Sequence, residues 1–361
     1  MRTSHLQKEI GKMSINKFIK KNKDKISKPY IIAELGVNHE CSIGIAKKMI
    51  LEAKKGGADA VKFQAYKADK IASKNSPAYW DIKKENTKNQ YDLFKKYDRF
   101  NEDDFKLLSK FCKKKKIDFL CTPFDLEYVD ILNPLVSAFK ISSSDITNKP
   151  LIEKICKCKK PIILSTGASS LNEILEAKKW IDKYKNKLII MHCVLNYPTL
   201  NYNANIGAIK SLSNFFPDNI IGYSDHTVPD KEMNNIVIAW LMGAKIIEKH
   251  FTYNKNKKGN DHYHSMDIKD LIMLNKKINQ IIELIGNSKI HYLPSEKISR
   301  KNARRSIYTK NKIFKGQVIK NKDLICKRPC YGIKPKFLKN LIGKRIKKNL
   351  NSDQPLKWSY I

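Results

Sequence analysis

The sequence predicts an α/β fold: a closed (β/α)8 TIM barrel followed by a small, mostly β domain. Three observations lead there. Eight short apolar runs recur along the chain: YIIAEL, AVKFQA, IDFLCT, AFKISS, PIILST, LIIMHC, IIGYSDH and KIIEKHF. Most successive runs are separated by one stretch of helical periodicity, such as SIGIAKKMILEAKKG after the first or SLNEILEAKKWIDKYK after the fifth. Strand-like runs alternating with amphipathic helices build βα units on a parallel sheet, and eight such units over roughly 250 residues fit a closed barrel. Finally, each run ends in polar or ionisable residues, and barrel chemistry sits at the carboxyl ends of the strands. Those ends carry Glu34, Lys62, Gln64, Thr122, Lys140, Ser143, His192, His226, Glu248 and His250.

Residues 1–28 read as a polar, lysine-rich lead-in with room for one short helix. They lack an apolar signal core, so secretion is not expected. The barrel pattern spans 29–286. The connection that begins QAYKADKIASKNSPAYWDIKKENTKNQYDLFKKY is unusually long, and a long βα loop on the active face often covers substrate. The last barrel helix is DIKDLIMLNKKINQIIELIG, closed by Gly286. Residues 287–302 form a polar linker. Residues 303–361 change texture, with β-like runs RSIYTK, QVIK and LICKRP, turns at KNK and FKG, and a final LKWSYI. A domain of about 60 residues gains little stability unless it docks on something.

The 361 residues leave room for a barrel and a small second domain. No apolar run approaches the ~20 residues of a membrane span. None of the eight cysteines forms a CxxC pair, and several fall inside strand or helix patterns, which points to reduced thiols in a cytoplasmic protein. The formal charge of +36 raises the question of nucleic acid. Its lysines are spread over almost every helix, and runs such as KKKK at 113–116 oppose apolar stripes. Solvated helix faces are therefore expected, with neither nucleic acid nor membrane as partner.

Side chains two apart on a strand share a face. Glu248 points with His250, Ser224 with His226, and Lys62 with Gln64. The two histidines come from neighbouring strands and reach the same rim. They suit a catalytic metal with positions left for water and substrate oxygen; the alternative is two histidines bonded to loop carbonyls. Lys62 and Lys140 interrupt apolar patterns, and a buried ammonium is costly unless an anion meets it. With Thr122, Ser143 and Ser224 nearby, they suggest a cradle for a phosphorylated or carboxylated ligand. A structural pair with Glu34, or a Schiff-base lysine, stays open. STGAS at 165–169 reads as a helix N-cap. His262 and His264 in KKGNDHYHSMD read as loop residues rather than a metal pair, and Cys326 and Cys330 have no further ligands nearby.

The motifs AELGVNHE, VKFQAY, CTPFD, FKISSSD, ILSTGAS, MHCVLNYPT, IIGYSDHT, IEKHFT and GNDHYHSMD follow one another in order. Together they closely resemble the sialic acid (N-acetylneuraminate) synthase family, which includes the legionaminate and pseudaminate synthases. The tail RSIYTKNKIFKGQVIKNKDLICKRP resembles that family's SAF (antifreeze-like) domain. The resemblance covers about residues 29–361. It implies condensation of phosphoenolpyruvate with N-acetylmannosamine or a related 2-acetamido hexose. It further implies a divalent metal, Mn2+ or Mg2+, on His226 and His250. Lys62, Thr122, Lys140, Ser143 and Ser224 would bind phosphoenolpyruvate, and Glu34, Gln64 and Glu248 would line the same pocket with catalytic roles. Tyr197 and Asp261 match acceptor-sugar contacts. Arg328 matches an arginine lent by the SAF domain to the partner's barrel in a domain-swapped homodimer. Three departures stand out: Leu195 where members often carry Asn or Ser, Cys330 where the tail usually has glycine, and Asn302 near an aromatic position.

Overall fold

Short polar side chains start most of the longer helices. Ser42, Asn101, Asp125, Asn148, Ser170 and Asp267 each accept a hydrogen bond from an amide of the first turn. Reciprocal boxes close at Asn101–Asp104, Ser170–Glu173 and Asp267–Asp270, satisfying donors that a helix start leaves orphaned. Lysines crowd the last turns, as at Lys54–Lys55 and Lys113–Lys115, where a cation offsets the helix dipole. Lys113 to Lys116 all stand exposed.

The computed structural model describes residues 14–21, 27–83, 85–259, 261–286 and 289–361. Of the lead-in, residues 1–13 and 22–26 lie outside the described residues. The chain divides into two compact units after Gly286.

The first unit is a closed parallel barrel of eight strands in sequence order. They are β1 (Tyr30–Gly36), β2 (Ala60–Ala65), β3 (Asp118–Pro123), β4 (Phe139–Ile141), β5 (Ile162–Ser165), β6 (Leu188–Cys193), β7 (Ile220–Asp225) and β8 (Ile246–His250). Every apolar run of the sequence supplies one strand. Helices connect them, among them α2 (Ile43–Gly56), α5 (Glu102–Lys115), α8 (Leu171–Lys183) and α11 (Ile268–Ile285), the last capped by Gly286 as the sequence predicts. The long connection after β2 holds two short helices, α3 (Ala68–Ile71) and α4 (Gln90–Tyr97).

The apolar core has two layers. Outward strand residues such as Ile31, Phe63 and Ile247 pack on the helices. Inward ones, including Ile32, Ala60, Leu120, Ile163 and Ile246, fill the barrel itself. Helix α1 (Ile15–Lys21) adds Ile15 and Phe18 to that inner cluster. Asp118, at the start of β3, accepts from Ile15 N at 2.8 Å and Tyr30 Oη at 2.7 Å. The short helix allowed for in the lead-in thus stops the amino end of the barrel.

Two residues further along each strand the inner face turns polar. Ile32 gives way to Glu34, Ala60 to Lys62, Leu120 to Thr122, Ala138 to Lys140, Ile163 to Ser165, Met191 to Cys193 and Ile246 to Glu248. The period-2 rule therefore stacks a closed apolar floor below a polar chamber at the carboxyl end.

The second unit pairs β9 (Ser306–Thr309) with β10 (Leu324–Lys327) antiparallel, with further bridges at Ile313–Leu350 and Val318–Arg345. Ile307, Ile319, Leu341 and Leu356 lie in its own core. It is less regular than the sequence suggests. QVIK contributes a bridge rather than a strand, and LKWSYI ends in a 3-10 turn at Trp358–Tyr360. The expected linker is partly helical, with α12 at Lys297–Ala303.

Candidate active site

Strand register brings the sequence candidates together. Glu34 on β1 lies opposite Lys62 on β2 and His250 on β8. Gln64 pairs with Thr122, and Ser224 with Glu248. A cavity of about 360 Å³ is lined by Glu34, Lys62, Gln64, Thr122, Lys140, Ser143, Tyr197, Ser224, His226, Glu248 and His250. It is also lined by Ser165 and Cys193, which follow the same inward parity although the sequence reading passed over them. A larger hollow, about 710 Å³, lies in the second unit among Tyr331, Lys334, Lys336, Phe337, Lys357 and Trp358. Among the described residues that line it there is no carboxylate or imidazole to share in chemistry.

One wall of the chamber is cationic. Lys62 Nζ sits 2.7 Å from Glu34 Oε2, 3.8 Å from Glu248 Oε1 and 3.1 Å from Thr122 Oγ1. Gln64 Nε2 donates to the other Glu34 oxygen at 2.9 Å. The Lys62–Glu34 pair left open by the sequence is therefore present. Lys140 differs: its nearest carboxylate oxygen, Glu248 Oε1, is 3.6 Å away. Burial works against both ammonium groups. Glu248 and Glu34 outweigh it at Lys62, whose pKa is raised, whereas at Lys140 burial, joined by repulsion from Lys62, prevails over Glu248 and leaves the pKa lowered. Burial also opposes the Glu248 carboxylate, but Lys140, Lys62 and a 3.0 Å bond from Ser224 hold its pKa down at about 2. Lys140 is the cation most in need of an anion. Around it stand hydroxyls: Ser143 Oγ accepts from Gly167 N at 2.9 Å, and the buried Ser165 Oγ has no hydrogen-bond partner among the described residues.

The opposite wall is a cluster of imidazoles. His226 Nδ1 donates to Val194 O at 2.8 Å, so its lone pair sits on Nε2, away from that carbonyl. The ring lies 5.4 Å from that of His250 and 4.3 Å from that of Tyr197, centroid to centroid. Asp261 Oδ2 approaches His250 Nδ1 at 3.4 Å. Burial and Asp261 act against each other at His250, and the carboxylate prevails, leaving its pKa raised. The loop carrying Asp261 is tied down by Asn38, whose Nδ2 donates to Phe251 O and Ser265 Oγ, each at 3.0 Å. Gly36 has a φ of +49°, and a Cβ there would meet Asp261 Oδ2, Gln64 Nε2 and Glu34 Oε1 at 3.2–3.3 Å. Both the backbone hand and the limited space favour glycine there.

Two expectations need correction. His192 is not in the chamber. It shares the outward face with Tyr223, its ring 5.7 Å away, and bonds Ala204 O at 2.9 Å; its neighbours Met191 and Cys193 point inward. The cap of α8 is Ser170, not a residue of STGAS, whose Ser165 faces the cavity instead. The two histidines of HYH part company. His262 is held by Thr252 Oγ1 at 2.8 Å and lies 3.4 Å from Glu40, while the fully buried His264 turns toward His250 and Asp261. Arg328 is exposed, just past β10 in the second unit. Of the departures from the family pattern, Leu195 is half-buried and Asn302 exposed; Asn302 Oδ1 lies 3.4 Å from Tyr331 Oη. Cys330 is half-buried, its amide donating to Lys301 O at 2.9 Å. The long connection after β2 reaches the rim, with Tyr79 6.4 Å from Tyr197.

Not every buried ion pair here belongs to the chamber. Lys249 Nζ lies 2.5 Å from Asp225 Oδ2 and 2.7 Å from Thr227 O, on the outward parity of β7 and β8. Burial opposes the Asp225 carboxylate, but Lys249 overrides it and holds its pKa below the ordinary value. Lys249→Met should cost about 3–5 kcal/mol by stranding that charge. The sign with pH is distinctive. The wild-type pair is fully stabilising above the ordinary carboxylate range and is lost only as pH falls through the depressed value. In the variant burial is opposed only by the hydrogen bonds from Thr227 and Tyr223, so the pKa rises from its wild-type position and acidification relieves part of the penalty. Urea melts at pH 7 and pH 5 should show the variant recovering part of its loss at the lower pH; equal midpoints for both proteins at pH 7 would refute this.

The NeuB family model matches residues 49–290, and a SAF domain model matches 304–361. The chain belongs to the NeuB family, with a SAF domain after its barrel in sequence. Its similarity to the N,N'-diacetyllegionaminic acid synthase of Campylobacter jejuni is 38% identity over 335 residues, 91% of this chain and 99% of that one. The uncharacterised protein MJ1065 of Methanocaldococcus jannaschii is 40% identical over 332 residues, 91% of this chain and 93% of its own. Among solved structures, the N-acetylneuraminic acid (sialic acid) synthetase of Leptospira borgpetersenii superposes with a TM-score of 0.67 at 34% identity, covering 76% of this chain and 90% of that one. The resemblance, the barrel-plus-SAF fold and the reading as an enzyme of this synthase class are thereby borne out. Among the described residues no helix is long and apolar enough to cross a membrane.

Proposed function

We propose that the chain condenses phosphoenolpyruvate with N-acetylmannosamine or a related 2-acetamido or 2,4-diacetamido hexose, and water, to a nine-carbon ulosonic acid and phosphate. One observation carries this reading. A two-lysine, hydroxyl-lined anion cradle and an imidazole–carboxylate cluster face each other across a single cavity. The synthase names of the relatives support it.

The residues fit a divalent metal. His226 is fixed through Nδ1, which leaves its lone pair on Nε2, and the buried His250 Nδ1 has no hydrogen-bond partner among the described residues. An outer hydrogen bond that fixes the tautomer is usual for a metal-bound imidazole. Nitrogen donors favour Mn2+ over Mg2+, which prefers oxygen. When bound, the ion supplies Lewis-acid polarisation of the sugar aldehyde.

The chain's own groups do the rest. Lys62 and Lys140, with Thr122, Ser143 and Ser224, hold the phosphate and carboxylate of phosphoenolpyruvate. Its methylene is a weak carbon nucleophile, so alignment beside the aldehyde matters most. Attack leaves positive charge at the enol carbon, where water adds; phosphate then departs by carbon–oxygen cleavage. Glu34, oriented by Gln64 and Lys62, steers that water or stabilises the cation. Glu248 balances Lys140. Tyr197 and Asp261 face the acceptor, and the partner's Arg328 closes the site in a two-fold dimer.

Phosphate release from phosphoenolpyruvate with Mn2+ across a panel of acceptors tests the reading. Release is expected with N-acetylmannosamine or its 6-deoxy diacetamido analogues. Release only with phosphorylated sugars would point to another phosphoenolpyruvate aldol synthase. A salt-sensitive nucleic-acid complex without any release would point to a binding protein.

A further inference from the structure

The sequence gives little reason to select His264. It lies in an irregular loop, beside a histidine that bonds elsewhere. Its surroundings are unusual for an imidazole. The residue is completely buried, and neither ring nitrogen has a hydrogen-bond partner among the described residues. Buried polar atoms are nearly always paired, and an orphan commonly marks an ion or water that belongs there. Two orphaned nitrogens on one ring are harder to explain by packing than one.

The ring is also well placed. One ligand atom from each of His250, Asp261 and His264 can be chosen so that all three lie within 4.8 Å of one another. His264 Nε2 is 4.0 Å from Asp261 Oδ1, and His250 Nδ1 is 3.4 Å from Asp261 Oδ2. The His250 and His264 rings are 4.9 Å apart at 61°, and Tyr197 stands edge-on to both. Two imidazoles and a carboxylate from separate directions form a common set for a divalent first-row metal. The loop is braced for it: Met266 N donates to His250 O at 2.8 Å, and Ser265 Oγ donates to Asp261 O, on either side of His264.

The geometry points to His264 as a direct protein ligand of the divalent metal in this chamber, alongside His250 and Asp261. This rests on the metal-dependent reading above and deepens it. The metal is then held by His250, Asp261 and His264, with His226 across from them. Asp261 serves the metal rather than only the acceptor sugar. Retention should be tighter than two histidines alone would give.

The test uses the full-length protein and the metal alone. Mn2+ affinity is measured by titration calorimetry, and Co2+ absorption reports the ligand set, for wild type, His264→Ala, His264→Phe and His250→Ala. His264→Phe keeps a ring in the space, so it separates coordination from packing. The expected result is at least a tenfold loss of Mn2+ affinity in both His264 variants, with a changed Co2+ spectrum and a circular dichroism signal like that of wild type. Unchanged affinity and spectrum in a folded His264→Phe would overturn the inference, and if His250→Ala had lost binding, the synthase reading would survive. Metal loss in the His264 variants with no phosphate release by wild type on any acceptor would uphold the inference and defeat that reading. Absence of Mn2+ and Co2+ binding by wild type would overturn the inference outright.

Discussion

Lys140→Met should lower kcat/KM for phosphoenolpyruvate by about 10²–10³-fold, the usual cost of removing one preorganised charge from a transition state. Its thermal midpoint should barely move. Glu248 would keep Lys62 at 3.8 Å and Ser224 at 3.0 Å, so no carboxylate is stranded. Lys62→Met should behave differently. It removes the 2.7 Å partner of the buried Glu34 and should cost stability, about 3–5 kcal/mol, as well as activity. The two lysines look equivalent in the sequence, and the structure separates them. Steady-state kinetics with a melt on each variant would check this. A folded Lys140→Met with normal kcat/KM would remove Lys140 from the anion site. A borohydride-reducible adduct on it would mark an aldolase instead.

Arg328→Ala should abolish most synthesis while leaving the barrel folded and able to bind metal. Arg328 sits exposed after β10, where its planar fork is free to pair with carboxylate or sugar oxygens. If each tail closes its partner's barrel, mixing Arg328→Ala chains with His250→Ala chains restores activity. The intact hybrid site combines the barrel of the arginine variant with the tail of the histidine variant. Random exchange should regenerate about a quarter of the wild-type sites. The check is activity after unfolding and refolding the two variants together, with mixed dimers verified by tag pull-down. Mixed dimers as inactive as either parent, under conditions where wild type re-forms active dimers, would end the shared-site idea.

The barrel was legible because its signal is local. An inward-facing strand position repeats every second residue, and Lys62–Gln64, Ser224–His226 and Glu248–His250 all obey that rule. The same rule, applied to LIIMHC, excludes His192 and selects Cys193. The information that places His192 thus lies within its own strand. His264 is another matter. Its position depends on Asn38 tethering the loop after β8 and on the side-chain space left by Gly36, contacts across more than 200 positions of sequence. No periodicity encodes them. Helix α1 as the floor of the barrel has the same character, since it needs Asp118 to receive its first amide. In the SAF domain, pairing rests on isolated bridges such as Val318–Arg345, too short for alternation to register.

In the proposed reaction this chamber joins the methylene carbon of phosphoenolpyruvate to a sugar aldehyde. The most direct measurement uses phosphoenolpyruvate enriched in carbon-13 at the methylene and N-acetylmannosamine, or the best acceptor of the panel, enriched at the aldehyde carbon. Incubated with the full-length protein and Mn2+, the pair should give a product whose spectrum shows one-bond coupling between the two labels, matched by an equal amount of phosphate. Labels that stay uncoupled across the whole panel, with pyruvate as the only new carbon species, would contradict the account.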